Sequence, residues 1–140
     1  MRTEYIIGPR PSFSTEFTVS QADFDLVVLG GGSGGLACAQ RAALHGARVA
    51  LFEEGRLGGT CVNVGCVPKK VMWNAASVGL SLGDAAAYGF AAAGNAHDWP
   101  RLKASRDAYV ERLNGIYARN LESRQVELLR GSASLVDTHQ

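Results

Sequence analysis

Phe24-Asp25-Leu26-Val27-Val28-Leu29 runs directly into Gly30-Gly31-Gly32-Ser33-Gly34-Gly35. A short, unbroken apolar run is the kind of strand that a parallel sheet buries on both faces. A glycine-rich turn after it, followed by a helix-forming stretch, makes strand, tight turn and helix. Gly30, Gly32 and Gly35 satisfy G-x-G-x-x-G: the first permits the turn, the second lets a pyrophosphate approach the backbone, and the third lets the helix pack closely on the strand. Amides at the start of that helix would face the phosphates.

Working outward, Leu36 to His45 reads as the helix, with Gly46 as its C-terminal cap. Arg48-Val49-Ala50-Leu51-Phe52 reads as a second strand ending at Glu53, which lies 23 residues after Gly30. That is the expected place for an acid that accepts hydrogen bonds from a ribose. Strand before, helix after and acid at the end of the next strand together point to a dinucleotide site, although the motif alone does not choose between NAD and FAD. Further on, Lys69 to about Leu82 reads as a helix with Val71, Ala75, Val78 and Leu82 on one face. Residues 83–97 form a weakly specified connection with a short strand around Tyr88-Gly89-Phe90. Asp98 can cap a helix that has Pro100 near its start and runs to about Ser123. Leu102, Tyr109, Leu113, Ile116, Tyr117 and Leu121 recur in it close to helical spacing. Val126 to Arg130 reads as a third strand, and Ser132 to Val136 begins another. The fold class expected is α/β, a Rossmann-like parallel sheet with flanking helices, present as the N-terminal part of a domain over residues 23–140.

Residues 1–22 carry Pro9, Pro11 and five serines or threonines after residue 10, with no apolar periodicity, and read as a disordered leader. Arg2 and Arg10 hint at a transit peptide, whereas Glu4 and Glu16 argue against one. The expected location is the cytoplasm, with the mitochondrion as the alternative. The 140 residues, 46% hydrophobic and 19% charged, are enough for a real core. A formal net charge of +1 provides no basic field for nucleic acid, and no apolar run approaches the roughly 20 residues that span a bilayer. Neither a nucleic-acid partner nor a membrane is expected, and no metal site.

The second informative stretch is Gly58-Gly59-Thr60-Cys61-Val62-Asn63-Val64-Gly65-Cys66-Val67-Pro68-Lys69-Lys70. On a regular helix, residues five apart are separated by about 7.5 Å along the axis, whereas a disulfide wants its Cα atoms about 4.4–6.8 Å apart. A Cys61–Cys66 bridge therefore needs a bent turn. Gly65 supplies backbone freedom beside the second thiol, and Pro68 suits the first turn of the following helix. Such a pair opens and recloses easily, which suits redox chemistry. Three cysteines do not make a secreted disulfide framework, and Cys38, the third, is expected to be a small packing residue.

This segment resembles the redox-active site of the flavoprotein disulfide reductases, and Cys-Val-Asn-Val-Gly-Cys-Val-Pro-Lys-Lys-Val-Met-Trp resembles the glutathione reductases among them. Arg106-Asp107-Ala108-Tyr109-Val110-Glu111-Arg112-Leu113-Asn114-Gly115-Ile116-Tyr117 is a second patch of the same resemblance. The resemblance implies that the glycine turn holds FAD, that NADPH is a co-substrate bound by a separate domain, and that glutathione disulfide is the substrate of a homodimer. It implies FAD contacts at Gly30, Gly32, Ser33, Gly34, Gly35, Glu53, Thr60, Cys61, Lys69 and the backbone of Ala133, and substrate contacts at Ser33 and Tyr117. Cys61 would be the interchange thiol and the first to alkylate, Cys66 the thiol in charge-transfer contact with the flavin, and Lys69 a cation beside it. Gln40 departs from the pattern, standing where vertebrate glutathione reductases commonly place an arginine. Family members run to some 450 residues, so the chain reads as the first third of such an enzyme and is expected to be inactive alone. The competing reading is a non-catalytic flavin-binding or thiol redox module, or a related enzyme such as a thioredoxin reductase.

Overall fold

The computed structural model describes residues 24–91 and 96–134. The leader expected at 1–22 and the end of the strand expected from Ser132 lie outside the described residues, although Ser134 takes part in a β-bridge. Eight elements follow one another: β1 (Leu26–Leu29), α1 (Ser33–Leu44), β2 (Val49–Glu53), α2 (Gly59–Asn63), α3 (Cys66–Asp84), the 3-10 helix η1 (Ala85–Tyr88), α4 (Trp99–Ser123) and β3 (Glu127–Arg130). The three strands form one parallel sheet in the order β1-β2-β3, with Leu26 beside Val49 and Ala50 beside Glu127. The α/β class expected from the sequence is therefore the class found.

The chain divides into two compact units, one made of the residues up to Gly59 with those from Asn114 onward, the other of Thr60–Leu113. The first unit contains the sheet. Val49, Ala50, Leu51 and Phe52 of β2 are all buried, as a central parallel strand requires. Val28, Leu36, Ala39, Val49, Leu51, Leu57, Leu121 and Val126 make one core cluster, and each large side chain fully buried there contributes roughly 1.5–3 kcal/mol. At the N-terminal ends of the strands, Asp25 accepts hydrogen bonds from the Arg48 amide (2.9 Å) and from its guanidinium Nη2 (2.9 Å). The Arg48 guanidinium, then its amide, hold the Asp25 carboxyl down at about 2. Helix α1 starts at Ser33, three residues earlier than expected, because the glycines after Gly32 are already helical. It ends at Gly46 with φ of +87°, the left-handed cap that glycine adopts at little cost.

In the second unit the strand expected around Tyr88-Gly89-Phe90 is not formed. The run Ala85-Ala86-Ala87 favours helix and continues as η1, which Gly89 ends with φ of +82°. Helix α3 has no buried residue, and Val78 and Leu82, expected on its apolar face, are exposed. Helix α4 is capped as expected, the Arg101 amide donating to Asp98 Oδ1 at 2.9 Å. Its expected stripe is buried at Leu121 and half-buried at Leu102, Leu113, Ile116 and Tyr117 but differs at one position: Val110 is buried and Tyr109 exposed, with the Arg112 guanidinium over the Tyr109 ring at 5.2 Å. Among the described residues no helix is long and apolar enough to cross a membrane.

Candidate functional site

The glycine turn after β1 is built by backbone contacts. Gly30 has φ of +97°, a left-handed conformation that few other residues tolerate, and its amide donates to the Phe52 carbonyl at 2.8 Å. A Cβ at Gly35 would overlap the Gly30 carbonyl oxygen, so only glycine lets α1 come this close to the turn. Around Gly30 and Gly34, by contrast, an added Cβ would meet nothing within 4 Å. The turn is thus packed on one side and open on the other. Ser33 and Gly34 open α1 and are exposed, and no acid in the helix's first turn opposes its positive end.

Glu53 ends β2 and its carboxylate joins two loops. The Gly31 amide donates to Oε2 at 2.6 Å, and the Gly55 amide donates to Oε1 at 2.7 Å. An ionised carboxylate has about four acceptor positions, so these two bonds leave capacity for ribose hydroxyls. The following loop is drawn onto the glycine turn. The Gly58 amide donates to the Gly31 carbonyl at 2.8 Å, Gly32 and Gly58 form a parallel bridge, and a Cβ at Gly59 (φ +59°) would lie 2.9 Å from the Gly32 Cα.

Beyond the ends of the three strands lies a cavity of about 290 Å³, lined by Gly30, Phe52, Glu53, Glu54, Gly131 and Ala133 among others. Ligands of open α/β sheets bind in this place, outside the carboxyl ends of the strands. Gly30, Glu53 and Ala133, singled out separately from the sequence, line it together. The volume falls just below the roughly 300–1,000 Å³ of complete ligand pockets and suits one portion of a dinucleotide. A turn that is open towards solvent, with free helix amides and a carboxylate at the strand end, fits the phosphates and ribose of such a cofactor.

The Cys61 and Cys66 thiols belong to the other unit. Helix α2, absent from the sequence reading, carries Thr60 and Cys61 and ends at Asn63. The Val64 amide closes it by donating to the Thr60 carbonyl at 3.0 Å, and the Lys69 amide donates to the Gly65 carbonyl at 3.0 Å. Between them the chain bends at Gly65, where a Cβ would stand 3.0 Å from the Thr60 carbonyl oxygen and 3.4 Å from the Cys61 Cα. The bend expected from the cysteine spacing is therefore present. Cys66 is the first residue of α3 and exposed, Cys61 is half-buried, and both are thiols. Thr60 and Lys69 are exposed. Cys38 is exposed as well, contrary to the packing role expected for it, because Leu36 and Ala39 occupy the buried positions of α1. Gln40 turns back on its own helix, donating from Nε2 to the Leu36 carbonyl at 2.9 Å. Tyr117 is half-buried and packs against the core cluster.

Two residues at the first site were not identified from the sequence. Asn114 donates from Nδ2 to the Leu57 carbonyl at 2.7 Å, and Arg130 donates from Nη1 to the Gly55 carbonyl at 2.6 Å. For Asn114 a signal existed: it stands at helical spacing in the stripe Val110, Tyr117, Leu121, where an amide among apolar residues needs a partner. Arg130 carries no comparable mark.

The chain matches the family described as pyridine nucleotide-disulphide oxidoreductase over residues 24–140. It is similar to the glutathione reductase of Schizosaccharomyces pombe, 56% identical over 115 residues that cover 81% of this chain and 25% of the relative. The glutathione reductase of Yarrowia lipolytica is 54% identical over 116 residues (80% and 25%), and that of Burkholderia cepacia 49% identical over 113 residues (81% and 25%). The chain spans about a quarter of the length of these curated relatives.

Proposed function

The chain belongs to the pyridine nucleotide-disulphide oxidoreductase family, and from that premise we propose that it carries the FAD site and redox dithiol of an NADPH-dependent glutathione-disulfide reductase. The observation that carries this reading is the bend at Gly65, which brings the chain back so close that a Cβ there would stand 3.0 Å from the Thr60 carbonyl oxygen and 3.4 Å from the Cys61 Cα. Gly30, Gly32, Ser33, Gly34, Gly35 and Glu53 would hold FAD, with Ala133 beside the cavity that Glu53 lines. Thr60, Cys61 and Lys69 are further proposed FAD contacts, and Ser33 and Tyr117 proposed substrate contacts. A bound flavin would supply two-electron transfer from a nicotinamide to a disulfide.

The dithiol chemistry falls to this chain's own residues. Cys61, as thiolate, attacks one sulfur of glutathione disulfide, forming a mixed disulfide and releasing one glutathione thiolate, which takes up a proton. Cys66, as thiolate, then attacks the Cys61 sulfur, releasing the second glutathione and closing the Cys61–Cys66 bond. The chain loses two electrons and glutathione disulfide gains them.

The test uses the reduced chain with glutathione disulfide and intact-mass detection. Wild type is expected to lose two hydrogens by closing the Cys61–Cys66 bond and to carry no glutathione on either of these residues, whereas Cys66→Ser retains glutathione on Cys61; peptide mapping separates both from any adduct on the exposed Cys38. Stable adducts on both Cys61 and Cys66 of the wild type, with no intramolecular bond, would overturn the assignment.

A further inference from the structure

We infer that Asn114 is a positioning residue of the dinucleotide site, fixing the Gly58–Gly59 loop against the glycine turn. The inference rests on reading that turn as an FAD cradle. The loop after β2 is held by side chains from three elements. At its first half, the Glu53 carboxylate accepts from the Gly55 amide and the Arg130 guanidinium donates to the Gly55 carbonyl. At its second half, Asn114 of α4 donates to the Leu57 carbonyl at 2.7 Å. Leu57 is itself buried, at 2% exposure, and packs in the core cluster, so the residue is fixed by its side chain as well as by this hydrogen bond.

One residue further on, the Gly58 amide donates to the Gly31 carbonyl, and Gly59 approaches Gly32 so closely that a Cβ would lie 2.9 Å from its Cα. Gly31 and Gly32 belong to the turn whose open side offers backbone to the cofactor. A shift of the Leu57 carbonyl is therefore passed through a single peptide to the turn. The helix that supplies Asn114 is 25 residues long, so the donor stands on a rigid element and not on another loop. Removing this donor takes away the hydrogen bond that ties the loop to α4.

Asn114→Asp tests this with almost no change of shape. At neutral pH the new carboxylate has no proton to donate and faces the Leu57 carbonyl with an acceptor. Protonated, it donates again. Partial burial and the neighbouring carbonyl oppose ionisation, raising the carboxyl above the ordinary value of about 3.9. FAD affinity of the whole chain is read by flavin fluorescence from pH 8 to pH 4.5, with the thermal midpoint measured in the absence of FAD. At pH 8 the variant is expected to bind FAD about tenfold more weakly than wild type, the effect of one lost hydrogen bond. The ratio of the two Kd values should then shrink towards one as the pH falls. Glu53, Glu54, Arg56 and Arg130 are the charged groups on the loop and strand ends. They are present in both proteins and divide out of the ratio.

Asn114→Leu removes the donor without a titrating group, and should show the same loss at pH 8 with no recovery at low pH. Equal Kd values for wild type and both variants at pH 8 would overturn the positioning role and leave the FAD reading intact. A pH-independent ratio for Asn114→Asp would also overturn it, since a purely structural defect does not recover on protonation. No FAD binding by the wild-type chain would overturn both readings.

Discussion

Gly34 and Gly35 are adjacent helical glycines with opposite surroundings, and substituting each by alanine separates close packing from backbone propensity. Alanine at either position gains up to about 1 kcal/mol of helix propensity, so that contribution cancels in the comparison. At Gly34 the new methyl meets nothing within 4 Å. At Gly35 it overlaps the Gly30 carbonyl oxygen and stands 3.1 Å from that carbonyl carbon and 3.2 Å from Val28 Cγ1. The first two obstacles are backbone atoms of a turn held by the Phe52 carbonyl, so they cannot rotate aside as a side chain would. Overpacking of this kind costs about 1–3 kcal/mol. Gly35→Ala is therefore expected to be less stable than Gly34→Ala by about 1–3 kcal/mol, or about 4–12 °C in Tm for a chain of this size. Thermal unfolding followed by circular dichroism reads the difference directly. If the two variants melted together, the close approach of α1 to the glycine turn would not be a feature of the folded protein.

Two further outcomes follow from exposed groups. The Asp25 carboxyl is held at about 2 by Arg48, below its unfolded value of 3.8. Its contribution to stability is thus present above about pH 4 and is lost as the pH falls towards 2. Asp25→Asn should flatten the acid limb of a stability-against-pH curve, and an unchanged limb would refute the pairing. For the thiols, exposure predicts that iodoacetamide labels Cys66 before Cys61 in the reduced, flavin-free chain, whereas the family resemblance puts Cys61 first. Peptide mapping of a short labelling time course decides the order, and earlier labelling of Cys61 would show that reactivity outweighs access.

The sequence by itself determined the strand, glycine turn and helix at Phe24–Gly35, the acid at Glu53 and the bend between Cys61 and Cys66. Each of these depends on local chemistry: an apolar run wide enough for a parallel strand, glycines where a Cβ has no room, and a spacing that a straight helix cannot bridge. The same locality explains the errors. Tyr109 and Val110 both suit a helical stripe, and only packing decides that Val110 is buried. Tyr88-Gly89-Phe90 has the composition of a strand, but Tyr88 continues the helical turn of the alanine run and Gly89, left-handed at φ +82°, closes it instead. Cys38 faces outward because Leu36 and Ala39 fill the core side of α1. Tertiary structure alone decided that Glu53 ties Gly31 to Gly55, and that Asn114, 57 residues away in the chain, holds the Leu57 carbonyl. A hydrogen bond to a backbone carbonyl needs only a donor at the right distance, so no residue pattern near Leu57 announces which distant side chain will supply it.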